Sequence, residues 1–264
     1  MTTQTAELLT EPLFPPPPTA PAAPTAPPRP APAMDSPIAR LEALLRDPAH
    51  FLDLLEREDA APADRMAALA RTLVAAIVVG AGAFGAVVGA HRGGLQVLWC
   101  AVKVPLLLMV TLVVCAPPFV ALAKAADVPL GARRVIALAL GSCARFALVL
   151  VGLAPFVWLS EAQAMGYHRV ILAVVAVCVI AGTAAGRLLF AGLARAGAAG
   201  TRVGLAFVVV FALVGAQTSW ILRPFVVRPR TTHVPVVRAL EGDFLDAVST
   251  SARSAAGVYT DARE

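Results

Sequence analysis

Acidic side chains are almost missing from the middle of this sequence. Between Arg65 and Arg238 there are two, Asp127 and Glu161. Soluble domains carry roughly 25% charged and roughly 45–50% apolar residues. Here 15% of residues are charged and 58% are hydrophobic, with mean hydropathy +0.76. Proton-coupled transport normally uses carboxylates inside the membrane, so their scarcity speaks against an ion-coupled pump.

Other absences narrow the chemistry. The four cysteines, Cys100, Cys115, Cys143 and Cys178, lie in or beside apolar stretches. No two are close enough in sequence to suggest a zinc site or a disulfide framework, so they read as small packing residues. The four histidines, His50, His91, His168 and His233, are scattered, with no His/Glu pair at metal-ligand spacing. Neither Ser nor Asp falls in a nucleophile-elbow pattern. The expectation is therefore no catalytic residue, no metal and no cofactor. Lysine is scarce too, two against twenty arginines; with the abundance of Ala and Val, this suggests a GC-rich bacterial genome.

What fills the space is apolar. Residues 72–90, 104–123, 135–160, 170–186 and 203–222 form five runs, each near the roughly 20 residues that a helix needs to cross a bilayer core. They predict an all-α, polytopic transmembrane bundle of about five spans over residues 64–225. Residues 93–102 are apolar but too short to cross alone, and read as an interfacial or re-entrant segment. Pro117-Pro118 should kink or stop the second span. The stretch Val78-Val79-Gly80-Ala81-Gly82-Ala83-Phe84-Gly85 spells G-x-G-x-x-G. It lacks the preceding strand and the acid about 20 residues on that a dinucleotide site requires, so it reads as membrane helix.

Small residues recur four apart at Ala81, Gly85 and Gly89, and again at Gly182 and Gly186. That spacing lets membrane helices approach closely. The first set predicts a central helix or a homo-oligomer contact.

The soluble parts differ in character. Residues 1–35 belong to a Pro-rich stretch, with twelve of the 22 prolines between positions 12 and 37. They predict disorder or polyproline II, acting as a spacer or as a docking segment for a protein partner. In residues 36–63, Ser36-Pro37 and Asp47-Pro48 are cap-then-proline helix starts. They open two amphipathic helices, one with Leu41, Leu44 and Leu45 on a face and the other with Phe51, Leu52 and Leu55. Glu56, Glu58 and Asp59 would weaken contact with anionic lipid, which favours packing on protein. Residues 226–264 form a polar tail with a helix from about Asp243. No cleavable leader precedes the first run, which reads as an uncleaved signal anchor.

The net charge is +5, and residues 65–240 carry sixteen Lys/Arg against the two acids. These cations sit at the ends of apolar runs, where they meet headgroups. The expected partner is the bilayer, with anionic lipid, and not nucleic acid. With the N-terminus inside, nine flanking cations lie on that side and seven on the other, four of those seven in the tail. The balance predicts a bacterial inner (plasma) membrane protein with a cytoplasmic N-terminus.

Four residues stand out as candidates for binding or anchoring: Arg145, Gln217, Trp220 and Arg223. Arg145 is the one charge inside a predicted run, about 15 Å along its helix by rise per residue. Two readings stay open: a guanidinium snorkelling to the interface, or a site for an anion or lipid headgroup. Gln217 or Ser219, a backbone carbonyl or a lipid phosphate could be its partner. Trp220 suits the interface, Arg223 a phosphate or a helix C-terminus, Pro224 a helix stop, and Phe225 a contact back onto the bundle.

The stretch Trp220-Ile221-Leu222-Arg223-Pro224-Phe225, followed by Glu241-Gly242-Asp243-Phe244-Leu245-Asp246-Ala247-Val248, resembles a group of uncharacterised bacterial multi-pass membrane proteins. Lys103-Val104-Pro105-Leu106-Leu107-Leu108 fits the same group. In its five spans and cytoplasmic Pro-rich N-terminus the chain is also distantly similar to the YIP (Ypt-interacting protein) family. The resemblance covers roughly residues 65–250 and implies a helical membrane protein of trafficking or membrane-organising type. It does not imply a reaction, and no partner-binding motif of that family is present to carry over. The functional expectation is a non-enzymatic membrane scaffold. The alternative is a small transporter or permease component with Arg145 in a polar path.

Overall fold

The computed structural model describes residues 36–59, 62–162, 167–222 and 225. Seven helices follow in order: α1 (Pro37–Arg46), α2 (Pro48–Asp59), α3 (Ala63–Ala90), α4 (Leu95–Ala125), α5 (Ala132–Ala162), α6 (Tyr167–Ala194) and α7 (Ala198–Ile221). The described residues contain no strand. Five of the helices, α3 to α7, are long and apolar enough to cross a bilayer, so the chain is an all-helical, multi-pass membrane protein. The expected Pro-rich stretch, residues 1–35, and the tail, residues 226–264, lie outside the described residues.

The two short helices start where their caps dictate. Ser36 Oγ accepts from the Ala39 amide at 3.1 Å, and Asp47 Oδ1 accepts from the His50 amide at 3.1 Å, in each case satisfying an amide that the first helical turn leaves without a partner. Both helices pack on protein, on the end of the bundle where α3 and α5 begin and α6 ends. We call this end the proximal face. Phe51, Leu44 and Leu55 are buried there.

Within the bundle α3 packs closely on α4 and α5, while α5, which also meets α6, is the most buried span. A Cβ at Gly80 would stand 3.0 Å from the Ala147 carbonyl oxygen of α5. One at Gly89 would stand 2.5 Å from the Gln96 carbonyl oxygen of α4, and one at Gly85 would run into the Cys100 backbone. Only glycine permits these approaches. Ala81, between them, is fully buried. The G-x-G-x-x-G letters are therefore helix throughout. The turn from α3 to α4 is made by Gly93 and Gly94 at φ +78° and +61°, a conformation that costs glycine little and other residues more.

Three expectations need correction. Residues 93–102 are not a separate segment: α4 begins at Leu95 and runs unbroken to Ala125, past Pro105, Pro117 and Pro118. The prolines do not stop it, because carbonyls freed by a missing amide find other partners inside a packed membrane helix. Arg145 is not the one charge within a span. Lys103 lies eight residues inside α4, buried to 4% exposure, and Arg187 lies seven residues before the end of α6. Reading span ends at the first cation misplaced both, since long basic side chains can reach polar groups from within a helix.

The outer pair is looser. α7 lies on α4 and α6, with Phe119 stacked on Phe207 at 4.0 Å between ring centroids. Exposed Val175, Val179, Leu205 and Leu213 are the surface that lipid covers.

Candidate functional site

Two features of this bundle go beyond packing, and both involve arginine at the proximal face. One is a clamp. Arg195, just past α6, donates through Nη1 to Asp53 Oδ1 at 2.8 Å and to Glu56 Oε1 at 3.2 Å. Arg134, in the first turn of α5, pairs with the same Glu56 oxygen. The Arg195 Nη2 also donates to the Ala49 carbonyl at 3.4 Å. Burial alone would lower the Arg195 pKa; its hydrogen bonds to Asp53 and Glu56 outweigh that and hold it above the usual guanidinium value. Beneath the ion pairs, Phe51 presses on Gly141, whose Cβ would lie 2.9 Å from the ring, and Leu52 meets Gly192. Acids of α2 thus lock onto cations at the start of α5 and the end of α6. The sequence carried both sets of charges, but nothing in it paired them.

The other feature is a cavity of about 810 Å³ between α4, α5, α6 and α7. Its walls are mainly apolar, with Phe146, Phe190, Phe207 and Phe211 prominent, and with Ser142, Thr183 and Arg187 among the polar lining. Gly182 and Gly186 line it too. A Cβ at Gly186 would meet nothing within 4 Å and one at Gly182 only the edge of Phe146 at 4.0 Å, so these small residues leave space instead of closing a helix pair.

Arg145 stands beside this cavity, one residue from Phe146. Its Nη2 donates at 3.5 Å to the Leu45 carbonyl in the last turn of α1, one of the carbonyls that a helix end leaves open and where positive charge is favoured. Its Nε and Nη1 are buried without a hydrogen-bond partner. Arg187 is close enough for the two positive charges to repel. Among the described residues neither guanidinium forms an ion pair with a carboxylate.

Arg145 and Gln217 do not come together. Gln217 lies near the far end of α7 and is exposed, while Ser219 Oγ donates to the Ala216 carbonyl of its own helix. α5 and α7 both start at the proximal face, and the two residues sit at different heights on them. Trp220 is half-buried at the end of α7, and Arg223 lies outside the described residues. Phe225 returns to α4: its carbonyl accepts from Gln96 Nε2 at 3.1 Å and Cys100 Sγ at 3.2 Å, and its ring lies 5.9 Å from Lys103 Nζ. This anchors the chain after α7 on a buried polar patch. Among the described residues no group of three or more His, Cys, Asp or Glu side chains could hold a metal ion.

The geometry defines a multi-pass helical membrane protein with a helical cap clamped over one end and an apolar cavity in its wall. Comparison with known families, curated proteins and solved structures gives no match.

Proposed function

We propose that the protein is a non-enzymatic scaffold of a bacterial inner membrane, with its N-terminus in the cytoplasm, that presents residues 1–35 from a fixed platform. The observation that carries this reading is the clamp: Asp53 and Glu56 on Arg134 and Arg195, over buried Phe51 and Leu52. An amphipathic pair whose only task was to rest on lipid would turn its apolar face to the bilayer. Here the face of α2, Phe51, Leu52, Leu54 and Leu55, is spent on the bundle, so the arm leaves from a set position at Ser36. The cytoplasmic assignment draws on the same contacts, because they gather Arg133, Arg134 and Arg195 at the face that carries the arm. The membrane-organising type implied by the YIP-family resemblance agrees with such a role. A permease using Arg145 and Gln217 has less support, since the two residues are apart.

The test is cross-linking and co-purification from native membranes, full-length protein against a chain lacking residues 1–35. Keeping residues 36–59 leaves the clamp in place, so loss of a partner cannot be blamed on an opened bundle. A discrete partner captured by the full chain and lost on truncation is the expected result. Identical captures from both chains would overturn the role of the arm.

A further inference from the structure

Apolar cavities and cations within spans are each common in membrane proteins, and their placement here is what matters. Along α6 the cavity extends from Val179 to Phe190, eleven residues or about 16 Å of helix. Arg187 lies in the proximal part of that range, and the other α6 side chains that line the cavity are apolar or small and neutral. The contact of Gly141 with Leu188 puts Arg187 level with the turn of α5 that precedes Arg145. α5 runs away from the proximal face and α6 runs toward it. Side chains lean toward the N-terminus of their helix, so Arg145 leans toward that face and Arg187 away from it, and the two guanidinium groups converge beside the proximal part of the cavity.

Convergence of two like charges in a medium of low dielectric is unfavourable. Among the described residues no carboxylate forms an ion pair with either guanidinium: Asp53 and Glu56 are engaged by Arg134 and Arg195, Glu42 by Arg46 of its own helix, and Asp47 Oδ1 accepts from the His50 amide. Arg145 keeps two buried nitrogens without a partner. An anion at this point would answer both. The walls above it are aromatic and aliphatic and suit an acyl chain. A polar end near one membrane face and an apolar end toward the middle is the arrangement of a lipid in one leaflet.

We propose that the α4–α7 cavity is a binding site for an anionic phospholipid of the leaflet at the proximal face, its phosphate held between Arg145 and Arg187 and an acyl chain lying against Phe146, Phe207 and Phe211. This site does not depend on the scaffold role, and either can fail alone. Gly182 and Gly186 then have a purpose in it: side chains there would occupy the space that the acyl chain needs.

The experiment uses full-length protein in vesicles of phosphatidylcholine containing a trace of phosphatidylglycerol with a photoreactive group at the end of one acyl chain. Labelled peptides are mapped by mass spectrometry. Labelling is expected on the cavity-lining turns of α5, α6 and α7, with competition by unlabelled phosphatidylglycerol and not by phosphatidylcholine. Arg145→Gln with Arg187→Gln should reduce it at least about tenfold, near 1.4 kcal/mol. Gly186→Leu should reduce it similarly while keeping both charges, and a Cβ there meets no neighbour within 4 Å. Uniform labelling over all lipid-facing helices, or equal competition by phosphatidylcholine, would overturn the proposal. So would competition by millimolar inorganic phosphate as effective as that by the lipid, which would mark a site for a free anion. Undiminished labelling of Gly186→Leu would overturn the acyl-chain placement.

Discussion

Gly85 and Gly89 of α3 share their spacing with Gly182 and Gly186 of α6, yet the two pairs lie in opposite surroundings. On α3 a methyl group would strike the backbone of α4; on α6 it would enter open space beside Phe146. Small residues four apart permit a close approach, but the approach itself needs a partner helix that continues alongside. For α3 the two-glycine turn at Gly93-Gly94 returns α4 directly along the glycine face. α6 has α5 on one side and α7 on another, and at Gly182 and Gly186 it faces the cavity that Phe146, Phe207 and Phe211 of these neighbours line. The bundle thus has a tight side and a loose side. The share of each span's most apolar stretch that is buried is 50% for α3 and 61% for α5, against 33% for α4, whose other side carries α7, 28% for α6 and 22% for α7.

The strongest way to break this contrast is to place a branched side chain on the tight side. Gly85→Leu meets backbone that cannot repack, and should cost on the order of 4 kcal/mol. Thermal unfolding in detergent should then show little folded protein; a normal melting curve would mean that α3 and α4 are not in close contact.

Phe51→Ala tests the joint between the cap and the bundle. The ring is fully buried on Gly141, so about 3 kcal/mol should be lost. The loss should fall on the cap, seen as rapid proteolysis within residues 36–59 while α3 to α7 stay intact. Uniform loss of the whole protein would show that cap and bundle unfold together.

Glu56→Gln removes the carboxylate shared by Arg134 and Arg195. Both arginines and Glu56 are partly exposed, so the expected cost is about 1 kcal/mol, shrinking as salt is raised. A loss that salt does not change would mean that packing alone seats the cap.

Gly186→Leu is the counterpart of Gly85→Leu on the loose side. It should leave thermal stability within about 0.5 kcal/mol, since nothing stands in its way. A loss as large as at Gly85 would erase the distinction between the two sides.

Much of the architecture could be read from the chain. Five spans followed from the long runs without acids, and the starts of α1 and α2 from Ser36-Pro37 and Asp47-Pro48, because these are local matters of solvent and of amides seeking acceptors. Boundaries set by a polar residue were less legible. Lys103 and Arg187 read as span ends because a cation is costly in lipid, whereas each sits within its helix. Pro117-Pro118 suggested a break for the same local reason. The cavity left no mark in the sequence beyond Gly182 and Gly186, which predicted the opposite.

The sequence by itself determined the solvent, the helical class and the placement of most segments, since these depend on hydropathy, caps and turn glycines acting over a few residues. Only the tertiary structure decided what Arg145 meets. Its partner is a carbonyl in α1, one hundred residues earlier, and its neighbour in charge is Arg187 on another span. Electrostatic and packing energies depend on distance in space, and a chain that turns back on itself at Gly93-Gly94, and again between its later spans, does not record that distance in residue number.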